Sequence, residues 1–149
     1  MQNKDTVRLL RECRSGVQMA TLSFADVYPH AVAPTLKEII NASKAHHEKL
    51  GKTADALLDA CGEPKKQPNA MIKGMSHVKT EAELRMHRAG RERDRAIVSL
   101  LYDGCHMGIK SLSRYLCQYP SASSESRALA KDLIELEETL SHSLRPHLA

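Results

Sequence analysis

The sequence predicts an all-α protein: a four-helix bundle, up-down-down-up, with a long crossover between the second and third helices. Three observations predict it. Residues 34–61 carry one seam, Leu36, Ile40, Ser43, His47, Leu50, Ala54, Leu57 and Cys61, whose steps alternate between four and three. That spacing puts all eight side chains on one narrow helical face, the pattern of an antiparallel bundle. Aromatic residues are scarce, with one Phe, four Tyr and no Trp, and only seven of the 149 residues are Gly. Such a composition favours helices built on Leu, Ile, Ala and Met over a β-sandwich. Finally, two short links between helices flank one long connection, so the chain reads as two hairpins. Its length suits a single domain spanning residues 1–149.

The first helix is expected at about 5–28, with Asp5 as N-cap. Its seam is Thr6, Leu10, Cys13, Val17, Ala20, Phe24 and Val27, and Pro29 stops it. The second is expected at 34–61. Pro34 suits its first turn, Gly62 its C-terminal cap, and Pro64 blocks continuation. A crossover at 62–91 follows. Residues 63–70, Glu-Pro-Lys-Lys-Gln-Pro-Asn-Ala, read as linker. Beyond them Met71, Met75, Val78, Ala82, Leu84 and Met86 give a weak helical pattern broken by Gly74, which predicts one or two short helices across the bundle. The third long helix is expected at 92–119, with the seam Ile97, Leu101, Gly104, Gly108, Ser111 and Tyr115. Pro120 ends it. The fourth is expected at 122–145, capped by Ser121 or Ser123, with Glu125 in its first turn. Leu129, Leu133, Leu136, Leu140 and Leu144 form its stripe, Glu137 sits beside that face, and Pro146 closes it.

Apolar residues make up 42% of the chain and charged residues 27%, as in an ordinary globular domain. No run approaches the roughly 20 apolar residues of a membrane span. The first five residues are polar with no apolar region behind them, so no secretory signal is read and a cytoplasmic location is expected. Cys13, Cys61, Cys105 and Cys117 form no CxxC pair and read as reduced core thiols. The net charge of +4 has one location: residues 62–95 hold nine Lys/Arg and five Asp/Glu, and the rest of the chain is neutral. Arg85, Arg88, Arg91, Arg93 and Arg95 are the candidate phosphate or nucleic-acid patch. Glu92 and Asp94 interrupt them and no aromatic residue is interleaved for base stacking, so nucleic-acid binding is not expected.

Ser43 and His47 stand on the second seam where a plain core would carry leucine. Two readings follow. His47 is a buried histidine hydrogen-bonded one turn back at Ser43, or it is a ligand for a single metal ion together with Glu137. His46, Glu138 and His142 are the candidate additional ligands, and Cys13 and Cys61 the nearest thiols. A one-residue shift of the second helix would exchange His46 for His47 at the core. Asp103 and His106, three apart, read as a solvated surface pair.

Residues 39–52 run Ile-Ile-Asn-Ala-Ser-Lys-Ala-His-His-Glu-Lys-Leu-Gly-Lys, and 57–64 run Leu-Leu-Asp-Ala-Cys-Gly-Glu-Pro. The third helix opens Asp94-Arg95-Ala96-Ile97-Val98-Ser99-Leu100-Leu101-Tyr102-Asp103-Gly104, and the fourth carries Asp132-Leu133-Ile134-Glu135-Leu136-Glu137-Glu138. With two hairpins joined by a long crossover, this wording resembles small bacterial ferritin-like four-helix-bundle proteins over most of residues 5–147. The resemblance implies a ferritin-like bundle. A di-iron member of that fold needs a Glu from each of two helices and a Glu-x-x-His from each of the others. Here Val17, Ala20 and Phe24 occupy the middle of the first seam, and Lys44 stands three before His47. Gly104 takes the third position, and Leu140 follows Glu137 by three. The di-iron set is therefore incomplete, and neither ferroxidase nor other enzymatic activity is expected. The function expected is contact with other proteins, as a homodimer and without a cofactor. Leu9, Leu22, Ile39 and Leu58, off their seams, would supply apolar surface for that dimer. The alternative is a protein that binds a metal ion or small ligand at His47 and Glu137.

Overall fold

The computed structural model describes residues 3–63 and 90–149, and all of their regular secondary structure is helical. Helix α1 spans Lys4–Val27 and α2 spans Pro34–Ala60; α3 spans Gly90–Gln118 and α4 spans Ser124–Leu144. Three-residue 3-10 turns at Tyr28–His30 and Arg145–His147 follow α1 and α4, each built around a proline. The short crossover helices expected near Met71–Met86, together with Arg85 and Arg88, lie outside the described residues.

Local chemistry sets most of the helix ends. The N-cap of α1 is Asn3 rather than Asp5: the Asn3 side chain accepts from the Asp5 N–H at 2.9 Å. Asp5 instead lies in the first turn, where its charge complements the helix dipole. Pro34 begins α2 as expected, and Gly62 ends it in the left-handed region at φ 75°. Ser123, not Ser121, caps α4, its hydroxyl accepting from the Ser126 N–H at 3.2 Å. At the end of α3 the Arg127 guanidinium donates to the carbonyls of Leu116 at 2.9 Å and Tyr119 at 3.1 Å. Those oxygens have no partner within the helix itself.

Contacts between chain ends fix the helix directions. Asn3 donates to the Ser121 carbonyl, and Thr6 Oγ1 accepts from the Ser123 N–H at 2.8 Å. The start of α1 therefore meets the α3–α4 turn. Arg11 pairs with Glu63 at 2.5 Å, which returns the end of α2 to the same place. At the opposite end, the N–H groups of Val32 and Ala33 donate to the two Asp94 oxygens at 2.8 and 2.9 Å. So α1 and α4 run one way and α2 and α3 the other, and residues 63 and 90 stand at opposite ends of the bundle. The hairpins α1–α2 and α3–α4 pack most extensively, α2 also packs against α4, and α1 packs equally against α3 and α4. Asp94 clamps a loop to a helix with two charge-assisted bonds. Asp94→Ala is expected to cost about 1–3 kcal/mol in urea denaturation.

The core falls into two apolar halves. One gathers Leu10, Cys13, Val17, Ala54, Leu58, Leu112, Leu129 and Leu133 at the α1 start. The other gathers Phe24, Val27, Leu36, Ile40, Ile97, Leu101, Cys105, Leu140 and Leu144 at the α3 start. Two expectations need correction. Leu9 and Leu58 are not dimer surface but core residues, at 0% and 2% exposure, because each helix buries a stripe wider than its seam. Gly104 is not on the α3 seam; it is exposed, and Cys105 takes the inward position between Leu101 and Gly108.

The glycines give opposite expectations. A Cβ at Gly16 or Gly104 meets nothing within 4 Å. Gly16→Ala and Gly104→Ala should each stabilise by up to about 1 kcal/mol through helix propensity. A Cβ at Gly51 meets Val17 Cγ1 at 2.9 Å, on a buried side chain stiff at χ1. Gly51→Ala should therefore destabilise by about 1–2 kcal/mol. Thermal melts of the three variants check both signs.

Candidate functional site: a buried histidine–carboxylate pair

Between the two apolar halves lies a polar layer. His47 comes from the middle of α2 and Glu137 from the middle of α4, and the two are hydrogen-bonded through Nε2 and Oε1. His47 is 1% exposed and Glu137 9%. The second seam thus points His47 inward, as its 4-3 spacing requires, and leaves His46 exposed.

Each side chain is held by its surroundings. His47 Nδ1 lies 2.7 Å from the Ser43 backbone carbonyl, one turn back. A carbonyl only accepts, so Nδ1 carries a hydrogen and donates it. One further proton then sits between Nε2 and Oε1, and the pair is net neutral wherever that proton rests. The partner one turn earlier is the Ser43 backbone rather than its hydroxyl. The Phe24 ring meets the imidazole edge-on, with centroids 5.1 Å apart. Glu137 fits because Gly108 faces it from α3: a Cβ there would already touch Glu137 Cγ at 3.6 Å.

The residue that sequence reasoning missed is Cys105. Burial first, then the Glu137 charge and a hydrogen bond to it, push the Cys105 thiol well above the usual range. A protonated thiol is a weak donor and a poor nucleophile, so this cysteine is a structural neighbour of Glu137. The sequence reads Cys105 as a core thiol but not as a neighbour of Glu137, because Gly104 fills the 4-3 register equally well. Cys13, in the apolar half near the α1 start, is likewise pushed up to about 12, by burial and then by Glu12.

The other candidates lie elsewhere. Glu138 and His142 are exposed on α4 and take no part in the pair. Asp103 and His106 are both exposed, as expected, and His106 packs against the Tyr102 ring at 4.5 Å. Cys61 is half-buried at the end of α2. Among the described residues, no three His, Cys, Asp or Glu side chains converge on a point that could hold a metal ion. Of the arginine patch, Arg91, Arg93 and Arg95 are described, all in the first two turns of α3.

No family model and no curated protein matches the chain. A solved structure does: a DUF305 fragment from Deinococcus radiodurans. It superposes with a TM-score of 0.76 over 98% of this chain and 96% of that one, at 15% sequence identity. The likeness is one of fold: the described residues of this chain form four long helices and no strand, and that fragment shares their path. No described helix is long and apolar enough to cross a membrane.

Proposed function

We propose that the chain is a bacterial, cytoplasmic, ferritin-like bundle without di-metal chemistry, which works as a homodimer through protein–protein contacts. The observation that carries the non-enzymatic part is the closure of His47 and Glu137 on each other. Both ring nitrogens of His47 are taken, by the Ser43 carbonyl and by Glu137, so the inward polar groups satisfy one another. The ferritin-like part is supported by the up-down-down-up helix order and by the opposite placement of residues 63 and 90. The homodimer is supported by the large apolar residues left exposed, Met19 at 49% and Met107 at 64% among them. Four free cysteines, two of them buried, favour a reducing compartment.

Sedimentation equilibrium tests the dimer. The wild type is expected to sediment as a dimer, and Met19→Lys or Met107→Lys to shift it toward monomer. A monomeric wild type at high concentration would remove the homodimer from the reading.

A second reading has its own observation. An Nδ1–H donated to a backbone carbonyl, with Nε2 facing a carboxylate, is how metal-binding histidines are commonly held. Metal analysis after loading with iron, manganese or zinc separates the two. Stoichiometric metal in the wild type, absent from both His47→Ala and Glu137→Ala, would replace our reading with a metal-binding one. No retained metal in any of the three proteins is the result expected.

A further inference from the structure

Along its middle, α3 carries one outward stripe: Leu100, Asp103, Met107, Lys110 and Arg114. Their steps of three and four put them on one face. Leu100 is half-buried and rests on the core, and the other four are exposed. Met107, at the centre, is 64% exposed, the most open of the large apolar side chains among the described residues. The neighbouring helix widens the patch. Tyr115 is hydrogen-bonded to Glu12, which sets α1 beside this side of α3. The two helices run in opposite directions, so seven residues on from Glu12 and seven back from Tyr115 stand at one level. Those positions are Met19, 49% exposed, and Gly108, next to Met107.

The charges around Met107 have an order. Between positions 100 and 114, two turns either way, the charged side chains are Asp103, Lys110 and Arg114, and His106 packs on the Tyr102 ring. The acid lies one turn before Met107, and both bases lie after it. Among the described residues neither Asp103 nor Lys110 has an ion-pair partner in its own chain. Such a face complements itself in one orientation. Laid parallel, two copies of α3 would set Asp103 against Asp103 and Lys110 against Lys110. Laid antiparallel and crossing at Met107, they set Asp103 of each copy against the partner's Lys110, because the two stand four before and three after the centre. A two-fold axis perpendicular to the helix makes that arrangement and repeats the contact. At the centre the two Met107 side chains cover each other, where an unbranched thioether adapts to the space it finds.

We infer that the outward face of α3 docks a second copy of this chain, antiparallel about Met107, with Asp103 and Lys110 exchanged across the two-fold axis. The inference rests on the homodimer reading above and adds to it a face and an orientation.

Sedimentation equilibrium of the full chain at low salt tests it, since charge pairs at an interface rim weaken as ionic strength rises. Asp103→Lys and Lys110→Glu should each weaken self-association about tenfold, because each turns two attractive contacts per dimer into repulsive ones. At concentrations where the monomer prevails, their thermal melts should stay near the wild type, because both side chains are exposed. The charge-swapped double variant Asp103→Lys/Lys110→Glu should regain wild-type association. An equimolar mixture of the two single variants should form a mixed dimer. A wild type that stays monomeric at high concentration removes the homodimer and this inference with it. A wild-type dimer indifferent to both single changes overturns this inference alone and leaves the homodimer standing. Weakened single variants that neither the swap nor the mixture rescues overturn it too.

Discussion

Glu137→Ala is expected to destabilise the protein by about 3–5 kcal/mol, the largest effect of any single side-chain change at the polar layer. The loss has two parts. His47, at 1% exposure, is left with one ring nitrogen facing nothing, and the space against Gly108 empties. His47→Ala should cost a similar amount, because it strands the carboxylate. The double variant His47→Leu/Glu137→Leu should recover most of the loss, and can match or exceed the wild type. A buried polar pair returns little net stability over apolar residues of similar size, because desolvation offsets its attraction. Urea midpoints of the three variants, read as a double-mutant cycle, decide the matter. A double variant as unstable as either single one would show that the pair is not the unit of stability.

The second expected result is a loss of stability at alkaline pH. Cys13 has its pKa raised from 9.0 to about 12 in the fold, by burial and then by the Glu12 charge. Below about pH 9 the thiol is protonated in both states, and the stabilising difference is fully present. Above it the unfolded thiol ionises while the buried one cannot, so unfolding is drawn forward. Stability should then fall by about 1.4 kcal/mol per pH unit until the folded thiol itself titrates. Cys105 is shifted in the same direction, first by burial and then by Glu137, and adds a second contribution of the same sign. Tyr115, raised by burial and by Glu12, joins them above its ordinary value of 10.0. Urea midpoints under reducing conditions measure the slope. Cys13→Ala should flatten it and Cys13→Ala/Cys105→Ala should flatten it further. A slope unchanged in the double variant would move the effect to other groups.

The helices were legible because their signals are local and redundant. The seam of α2 repeats over eight positions, and Pro34 and Gly62 mark its two ends. Errors arose where one residue had to be chosen from two with equal local merit. Asn3 and Asp5 both suit a cap, and Gly104 and Cys105 both fit a 4-3 register. Leu9 and Leu58 lie one position off a seam, yet each helix buries a stripe wide enough to take them inside. In each case the choice belongs to the neighbouring helices, whose positions no local pattern encodes.

The candidate site divides the same way. The sequence by itself determined that α2 turns a histidine toward a helical core and that α4 keeps a glutamate near its apolar stripe, because both facts follow from a helix of 3.6 residues per turn. Only the tertiary structure decided that these two meet, 90 positions apart. It also decided that Gly108 leaves Glu137 its space, that Cys105 lies against it, and that Asp94 locks the far end of the bundle. Those contacts depend on the rotation and offset of one helix against another. Side chains from all four helices set that rotation together, so it is a property of the packed core and not of any one stretch of chain.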